Sequence, residues 1–158
     1  MAREIERKFL VCGEFKPLAF KKMRITQGYL CSDPERTVRI RIKDDRGYLT
    51  VKGKGDETLI SRFEWEKEIS SDDARSLLEL CLPGVIDKTR YLIKNADGIH
   101  TWEVDEFYGD NAGLVVAEIE LQAEDDTFDI PSWIGEEVSS DKRYFNSALS
   151  MNPFTKWR

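Results

Sequence analysis

Along most of this chain, charged and apolar side chains alternate with a period of two, the repeat of an extended strand rather than a helix. Val38-Arg39-Ile40-Arg41-Ile42 and Trp102-Glu103-Val104-Asp105 are the plainest cases. Eight segments carry the pattern, at about 3–12, 22–31, 36–44, 47–54, 60–69, 86–95, 99–108 and 113–123. Turn-forming runs separate them, among them Cys31-Ser32-Asp33-Pro34, Asp44-Asp45-Arg46-Gly47, Asn95-Ala96-Asp97-Gly98 and Gly109-Asp110-Asn111. The connections are too short for the crossover helices of a parallel sheet. The expected class is therefore α+β and mainly β, an eight-stranded antiparallel sheet closed into a barrel.

One helix is expected after Ser70 or Ser71 as cap, with Asp72 and Asp73 in its positive first turn. Ala74, Leu77, Leu78 and Leu80 or Cys81 make its apolar side, and Leu82-Pro83-Gly84 stops it. A second helix is expected over about 140–149, burying Tyr144, Phe145, Ala148 and Leu149, and a helical turn over 125–128. No repeat, low-complexity tract or linker interrupts residues 1–158, which suits a single domain.

In an ordinary small barrel, the inward-facing alternate residues are apolar. Here strand after strand sets charges on one face: Glu4, Glu6 and Lys8; Arg39 and Arg41; Lys52 and Lys54; Arg62, Glu64 and Glu66; Lys88 and Arg90; Glu103 and Asp105; Glu118 and Glu120. Two geometries fit. Either an apolar interior carries a charged exterior, or the charges line a polar lumen and the apolar faces pack outward. Composition does not choose between them. The signs cluster, however. Acids two apart on a strand project from one face and suit a hard cation. Paired Arg and Lys suit phosphate oxygens.

Charged residues make up 34% of the 158 residues, yet the net charge is −6. A general nucleic-acid binder, which gains affinity by neutralising phosphates, is not expected. The longest aliphatic stretch, near Leu114, is far too short to span a bilayer, and the acids Glu4 and Glu6 fit no secretory signal. Cys12, Cys31 and Cys81 fit no zinc or CxxC spacing. These features lead us to expect a cytoplasmic protein with reduced cysteines and no membrane partner. His100 falls at a hairpin edge, where a surface histidine is expected.

Glu4-Ile5-Glu6-Arg7-Lys8 reads as an ExExK signature, followed in order by Gln27-Gly28-Tyr29, Arg39-Ile40-Arg41, Thr50-Val51-Lys52, Arg62-Phe63-Glu64, Lys88-Thr89-Arg90-Tyr91, Glu103-Val104-Asp105, Glu118-Ile119-Glu120 and Asp141-Lys142-Arg143-Tyr144. This series resembles the CYTH superfamily, the triphosphate tunnel metalloenzymes, and in particular its short bacterial members. ExExK alone is weak; the series in register across nearly the whole chain is specific. The resemblance implies the tunnel geometry: a charged eight-stranded barrel open at both ends, helices outside, a small-molecule triphosphate as substrate, and Mg²⁺ or Mn²⁺ as cofactor.

It also implies roles. Glu4, Glu6, Glu118 and Glu120 would hold one or two metals, with Asp105, Glu103 and Glu64 nearby; salt bridging to tunnel cations is the alternative for Glu64 and Glu103. Arg39, Arg41, Lys52 and Arg90 would clamp phosphates, joined by Arg62 and Lys88. Lys8 would orient the terminal phosphate or the attacking water, with Tyr29 as its partner. Lys142, at the start of the last helix, would close one tunnel end on the phosphates. Trp65 and Trp102 are expected outside the barrel. Trp133, Phe154 and Trp157 are expected on the barrel or at a homodimer contact. The leading activity is hydrolysis of inorganic triphosphate to diphosphate and phosphate. Alternatives are a class IV adenylate cyclase, a thiamine or nucleoside triphosphatase, and a non-enzymatic polyphosphate-binding module.

Overall fold

The period-two segments form the strands of a computed structural model that describes residues 3–157. Met1, Ala2 and Arg158, part of the single domain expected over 1–158, lie outside the described residues. The strands are β1 (Arg3–Val11), β2 (Lys21–Cys31), β3 (Arg36–Lys43), β4 (Arg46–Gly55), β5 (Ser61–Ile69), β6 (Ile86–Lys94), β7 (Thr101–Phe107), β8 (Val115–Glu120) and β9 (Ile134–Glu137). Helices α1 (Ser71–Glu79) and α2 (Asn146–Met151) and four short 3-10 turns complete the elements.

All strand pairings are antiparallel, in the order β5-β4-β3-β2-β6-β7-β8-β1-β9. A further β5–β1 pairing closes the first eight strands into a barrel, from Arg3↔Phe63 to Ile5↔Ser61. Beyond Ile5 the edge that β5 leaves is taken by β9, through Phe9↔Glu137 and Val11↔Ile134. This short outer strand was not expected. Two further expectations are corrected. The helix foreseen over 140–149 is a 3-10 turn at Lys142–Tyr144, then Phe145 in extended conformation, then α2. The helical turn foreseen at 125–128 lies earlier, as a single turn over 123–126 closed by Asp126 N–H donating to Ala123 O, and residues 126–130 are irregular.

Residues opposite one another in register share a face, so the register decides which geometry holds. Glu6↔Glu120, Lys8↔Glu118, Tyr29↔Arg39, Gln27↔Arg41 and Arg90↔Asp105 all face one another, and all point into the lumen. The apolar neighbours Phe9, Tyr91, Ile93, Trp102, Val104, Ala117 and Ile119 point outward and form the main core, covered by Phe15, Phe128, Trp133 and Ile134. The core lies on the outside of the barrel. Trp102 is fully buried there, edge-on to Phe9, Phe128 and Trp133, whereas Trp65 is 43% exposed. Helix α1, capped by Ser70 as expected, covers the β2–β3–β4 side. It approaches closely because Gly47 carries no Cβ, which would meet that of Ala74 at 2.6 Å.

A second apolar cluster has a different place. Ile86, Phe107, Val116 and Leu10 continue the inward-facing rows of β6, β7, β8 and β1 past the last charges. Leu114, Val138, Tyr144 and Leu149 pack on them, with Phe154 and Trp157 alongside. Apolar side chains therefore bound the polar lumen at this end, where the resemblance implies an opening. Gly84 fixes α2 against this end. Its φ is +93°, and a Cβ there would fall 1.8 Å from Ser150 O.

His100 is not the surface histidine expected. It is 7% exposed, with Nδ1 2.7 Å from Asp97 Oδ2 and Nε2 2.9 Å from Asp126 Oδ2. Together with Asn95, which donates to Asp129 O, it ties the β6–β7 hairpin to the loop that carries Phe128. Asp126 and Asp97 raise its pKa, and it lowers theirs, Asp97 through backbone N–H groups first.

Two predictions follow from these contacts. Gly84→Ala forces a left-handed alanine into Ser150 and should cost roughly 2–5 kcal/mol by urea unfolding. Gly98→Ala, at φ +71° with nothing within 4 Å, should lose only about 1–2 kcal/mol; equal losses would mean that α2 does not dock as described. The His100 contribution to stability should be present below the ordinary imidazole pKa, about 6.5, and fade as pH rises through the raised folded value. It should also fade in acid, as the two aspartates protonate below their ordinary range of about 4. The stability gap between the native protein and His100→Gln, measured from pH 3 to 9, should be widest between those limits.

Candidate active site

The inward rows enclose a cavity of about 230 Å³. Its walls divide by sign. One side is acidic: Glu4 and Glu6 on β1, Glu118 and Glu120 on β8, Glu103 on β7. The other is basic: Arg39, Arg41 and Lys43 on β3, Lys52 on β4, Arg90 on β6. Strand β5 contributes both, with Arg62, Glu64 and Glu66. Tyr29, Ser139 and the α2 start, Phe145-Asn146-Ser147, complete the deep end. At the other end, the Glu66 and Glu103 side chains are 37% and 34% exposed, which marks the way to solvent.

Buried charges must be paired, and here the lumen charges pair with one another. Lys52 Nζ lies 2.7 Å from Glu4 Oε2. Lys8 Nζ lies 3.0 Å from Glu6 and 3.7 Å from Glu118. Burial opposes the Lys8 charge, but Glu118 and Glu6 outweigh it and hold the ammonium above its ordinary pKa. Burial, and then repulsion from Glu6, pushes the Glu118 carboxyl up. Burial with Glu4 and Glu103 does the same to Glu120. Tyr29, expected to partner Lys8, instead accepts from Gln27 Nε2 at 3.1 Å.

On the basic side, Arg41 Nε donates to Gln27 Oε1 at 2.8 Å. Burial, then Arg39 and Arg90, pushes the Arg41 guanidinium down to about 9, still protonated at neutral pH. Arg39 bonds Thr50 Oγ1 at 3.1 Å and lies 3.5 Å from Glu66. The Nε atoms of Arg39 and Arg62 are buried without a partner. So many cations with unspent donors on one wall make a site for an anion.

Below the chamber lies a drier layer. Asp105 receives Arg90 Nε and Nη2 at 2.8 and 2.9 Å and Lys88 Nζ at 2.7 Å. Lys88 also donates to Asn146 Oδ1 at 2.9 Å. Neither Lys88 nor Asp105 has any solvent exposure, and neither lines the cavity. Lys142, expected on the phosphates, stands exposed on its 3-10 turn outside the cavity lining. The other expected site residues all line the cavity: Glu4, Glu6, Lys8, Tyr29, Arg39, Arg41, Lys52, Arg62, Glu64, Arg90, Glu103, Glu118 and Glu120.

Lys43 was missed, although it follows by parity from Arg41, and Glu66 was placed on the charged face of its strand without a role. Gln27, which links Arg41 to Tyr29, lay within a quoted motif without a role. Phe145, Asn146 and Ser147 carried no sequence signal, because a helix was expected through them.

The acidic wall has the chemistry of a divalent-cation site. Its donors are carboxylate oxygens, the ligands a hard cation takes. Burial, and then repulsion from neighbouring carboxylates, displaces Glu118 and Glu120 upward, and a cation would offset both. Among the described residues no three acidic, His or Cys side chains stand in a ready-made ligand set; Lys8 and Lys52 hold the acids instead. The donor set fits the group.

Residues 2–150 match the family profile of the CYTH domain. A curated inorganic triphosphatase of Acetivibrio thermocellus is 49% identical over 160 residues, covering 100% of this chain and 99% of its own. One of Nitrosomonas europaea is 36% identical over 152 residues, covering 94% and 97%. The crystal structure of the inorganic triphosphatase NE1496 has a TM-score of 0.66 at 34% identity, covering 96% of each chain. HpAC1 from Hippeastrum, at 18% identity and a TM-score of 0.60 over 76% of this chain and 80% of its own, shares the fold. The profile match and these full-length relatives agree with the charged lumen, and the chain belongs to the CYTH domain family.

Proposed function

We propose that this protein hydrolyses inorganic triphosphate to diphosphate and phosphate, with a divalent cation, Mg²⁺ or Mn²⁺, as cofactor. The observation that carries this reading is one chamber with a cationic wall facing an acidic one. Arg39, Arg41, Lys52, Arg62 and Arg90, with Lys43 beside them, grip the phosphate oxygens and fix the chain for in-line displacement. Glu4, Glu6, Glu118 and Glu120 hold the cation, with Glu103 and Glu64 at the margin. A cation held by these carboxylates would supply charge neutralisation to the phosphate oxygens. Lys8 stands within the acidic wall, beside Glu6 and Glu118, where its ammonium orients the terminal phosphate. Full-length relatives named inorganic triphosphatase support the choice of substrate.

The size of the chamber points the same way. About 230 Å³ is below the roughly 300–1,000 Å³ of pockets that bury drug-sized ligands. Its lining is mostly charged, and its aromatic side chains, Phe145 and Tyr29, sit at the deep end. Binding energy then comes from the phosphate chain, and a nucleoside adds bulk without contacts. Among the described residues, no helix is long and apolar enough to cross a membrane.

Two experiments test this reading. In a phosphate-release panel with Mg²⁺ and Mn²⁺, inorganic triphosphate should show a higher kcat/KM than ATP, thiamine triphosphate or longer polyphosphate. Cyclic AMP as the main product from ATP, with inorganic triphosphate left intact, would establish a cyclase instead. Arg39→Ala should weaken turnover of every triphosphate without changing their order. In the second experiment, Glu118→Gln or Glu120→Gln should lower kcat by on the order of 10²–10³, since a cation supplies several kcal/mol of charge stabilisation. The metal-free stability of either variant should hold or rise, because each removes a carboxylate displaced upward by burial and repulsion. Full turnover at ordinary Mg²⁺ would refute the role of the acids.

A further inference from the structure

The pair Glu103 and Asp105 shares one face of β7, yet the two carboxylates occupy different environments. Glu103 borders the chamber and receives Arg90 Nη1 at 3.1 Å. Asp105 lies behind it, with no exposed surface. Both of its oxygens are spent: Arg90 takes them as a fork at 2.8 and 2.9 Å, and Lys88 adds a third contact at 2.7 Å. The residues beside this layer on β2 are apolar, with Met23 opposite Arg90 and Ile25 opposite Lys88. Ile25 is fully buried, so water does not substitute for either partner there.

A carboxylate closed in this way has no oxygen to offer a cation. What it controls is the guanidinium. A two-point contact fixes the plane of Arg90 and turns the remaining Nη1 edge towards Glu103 and the chamber. Through Lys88, the same carboxylate is linked to Asn146, which lines the deep end of the chamber. One buried acid thus connects a cation of the binding wall with the segment that ends the lumen.

We infer that Asp105 is a positioning residue for triphosphate binding, acting through Arg90 and Lys88, and that it is not a ligand of the metal. The inference rests on the triphosphate reading of the chamber. It separates two acids that share a strand face and that the sequence pairs as one motif.

The test measures binding rather than turnover. Triphosphate affinity is measured by calorimetry in EDTA, and Mn²⁺ affinity by titration of the metal-free protein, for the native chain and Asp105→Asn. The triphosphate Kd should weaken at least tenfold, with the Mn²⁺ Kd within twofold. A general loss of structure would weaken both, so the selectivity separates positioning from mere stability. In an Arg90→Met background, the Asp105→Asn change should cost less than a further threefold, because its effect runs through the missing guanidinium. Asp105→Asn strands two buried cations, and if it does not fold, Asp105→Asn/Lys88→Met removes one of them and is measured in the same way. The inference is overturned if the Mn²⁺ Kd weakens tenfold, if both affinities fall together, or if the triphosphate Kd stays within threefold of native. Failure of the native chain to bind triphosphate both in EDTA and with Mg²⁺ present would overturn the functional reading and this inference with it, whereas loss of Mn²⁺ affinity in the variant leaves that reading standing.

Discussion

Charges brought out of water must find partners, and that requirement organises this molecule from the lumen outward. A carboxylate or ammonium alone in a protein interior is so costly that it neutralises or unfolds its surroundings. Here the cost is met by pairing inside the barrel. Lys52 answers Glu4, Lys8 answers Glu6 and Glu118, and Arg90 and Lys88 answer Asp105. Lys8–Glu6 lies within β1 and the Asp105 contacts join the neighbours β6 and β7, but Lys52–Glu4 ties β4 to β1, so closure of the barrel and neutralisation of that side of the lumen are one event. A barrel with only one sign inside would repel itself apart.

An inside filled with ions contributes little to stability, because desolvation offsets most of the attraction within each pair. The stabilising term has to come from elsewhere, and the register sends it outward. Phe9, Trp102, Val104, Ala117 and Ile119 form a core on the convex face, and loops rather than long helices supply its lid through Phe15, Phe128 and Trp133. This accounts for the His100 ion triad at a site remote from the chamber. It pins the loop whose aromatic rings complete that core. Helix α1 covers the β2–β3–β4 side, and the second apolar cluster ends the lumen.

Most of the barrel could be read from the chain because period two survives whichever way a strand faces. The eight strands were expected within a few residues of where they lie, and the lumen residues followed from shared parity with the motif series. Direction was another matter. The same alternation describes a charged exterior and a charged interior, and only the family resemblance chose before the register did. What the pattern could not carry was context of a different kind. Ile134–Glu137 is too short to alternate visibly, and becomes a strand because β5 diverges from β1 after Ile5. The run from Lys142 to Met151 has a helical apolar pattern, but Phe145 adopts an extended backbone and lets Asn146 reach Lys88. His100 reads as polar hairpin, and its burial depends on Asp126, far along the chain.

The ion pairs also explain why an enzyme would carry so many carboxylates and cations in one small space. On the proposed function, a triphosphate and its cation arrive with the same charges that the walls already exchange. Lys52 can pass from Glu4 to a phosphate oxygen, and Glu4 from Lys52 to the cation, with the number of buried charges left unpaired unchanged. The walls are then polarised in advance, and little reorganisation is needed when negative charge develops on the leaving phosphate. Binding either ligand alone would strand one partner of each pair: phosphate without cation leaves Glu4 and Glu6 uncompensated, and cation without phosphate leaves Lys8 and Lys52 so. The pairing that lets the empty barrel fold is therefore the same arrangement that makes the two ligands favour each other's binding.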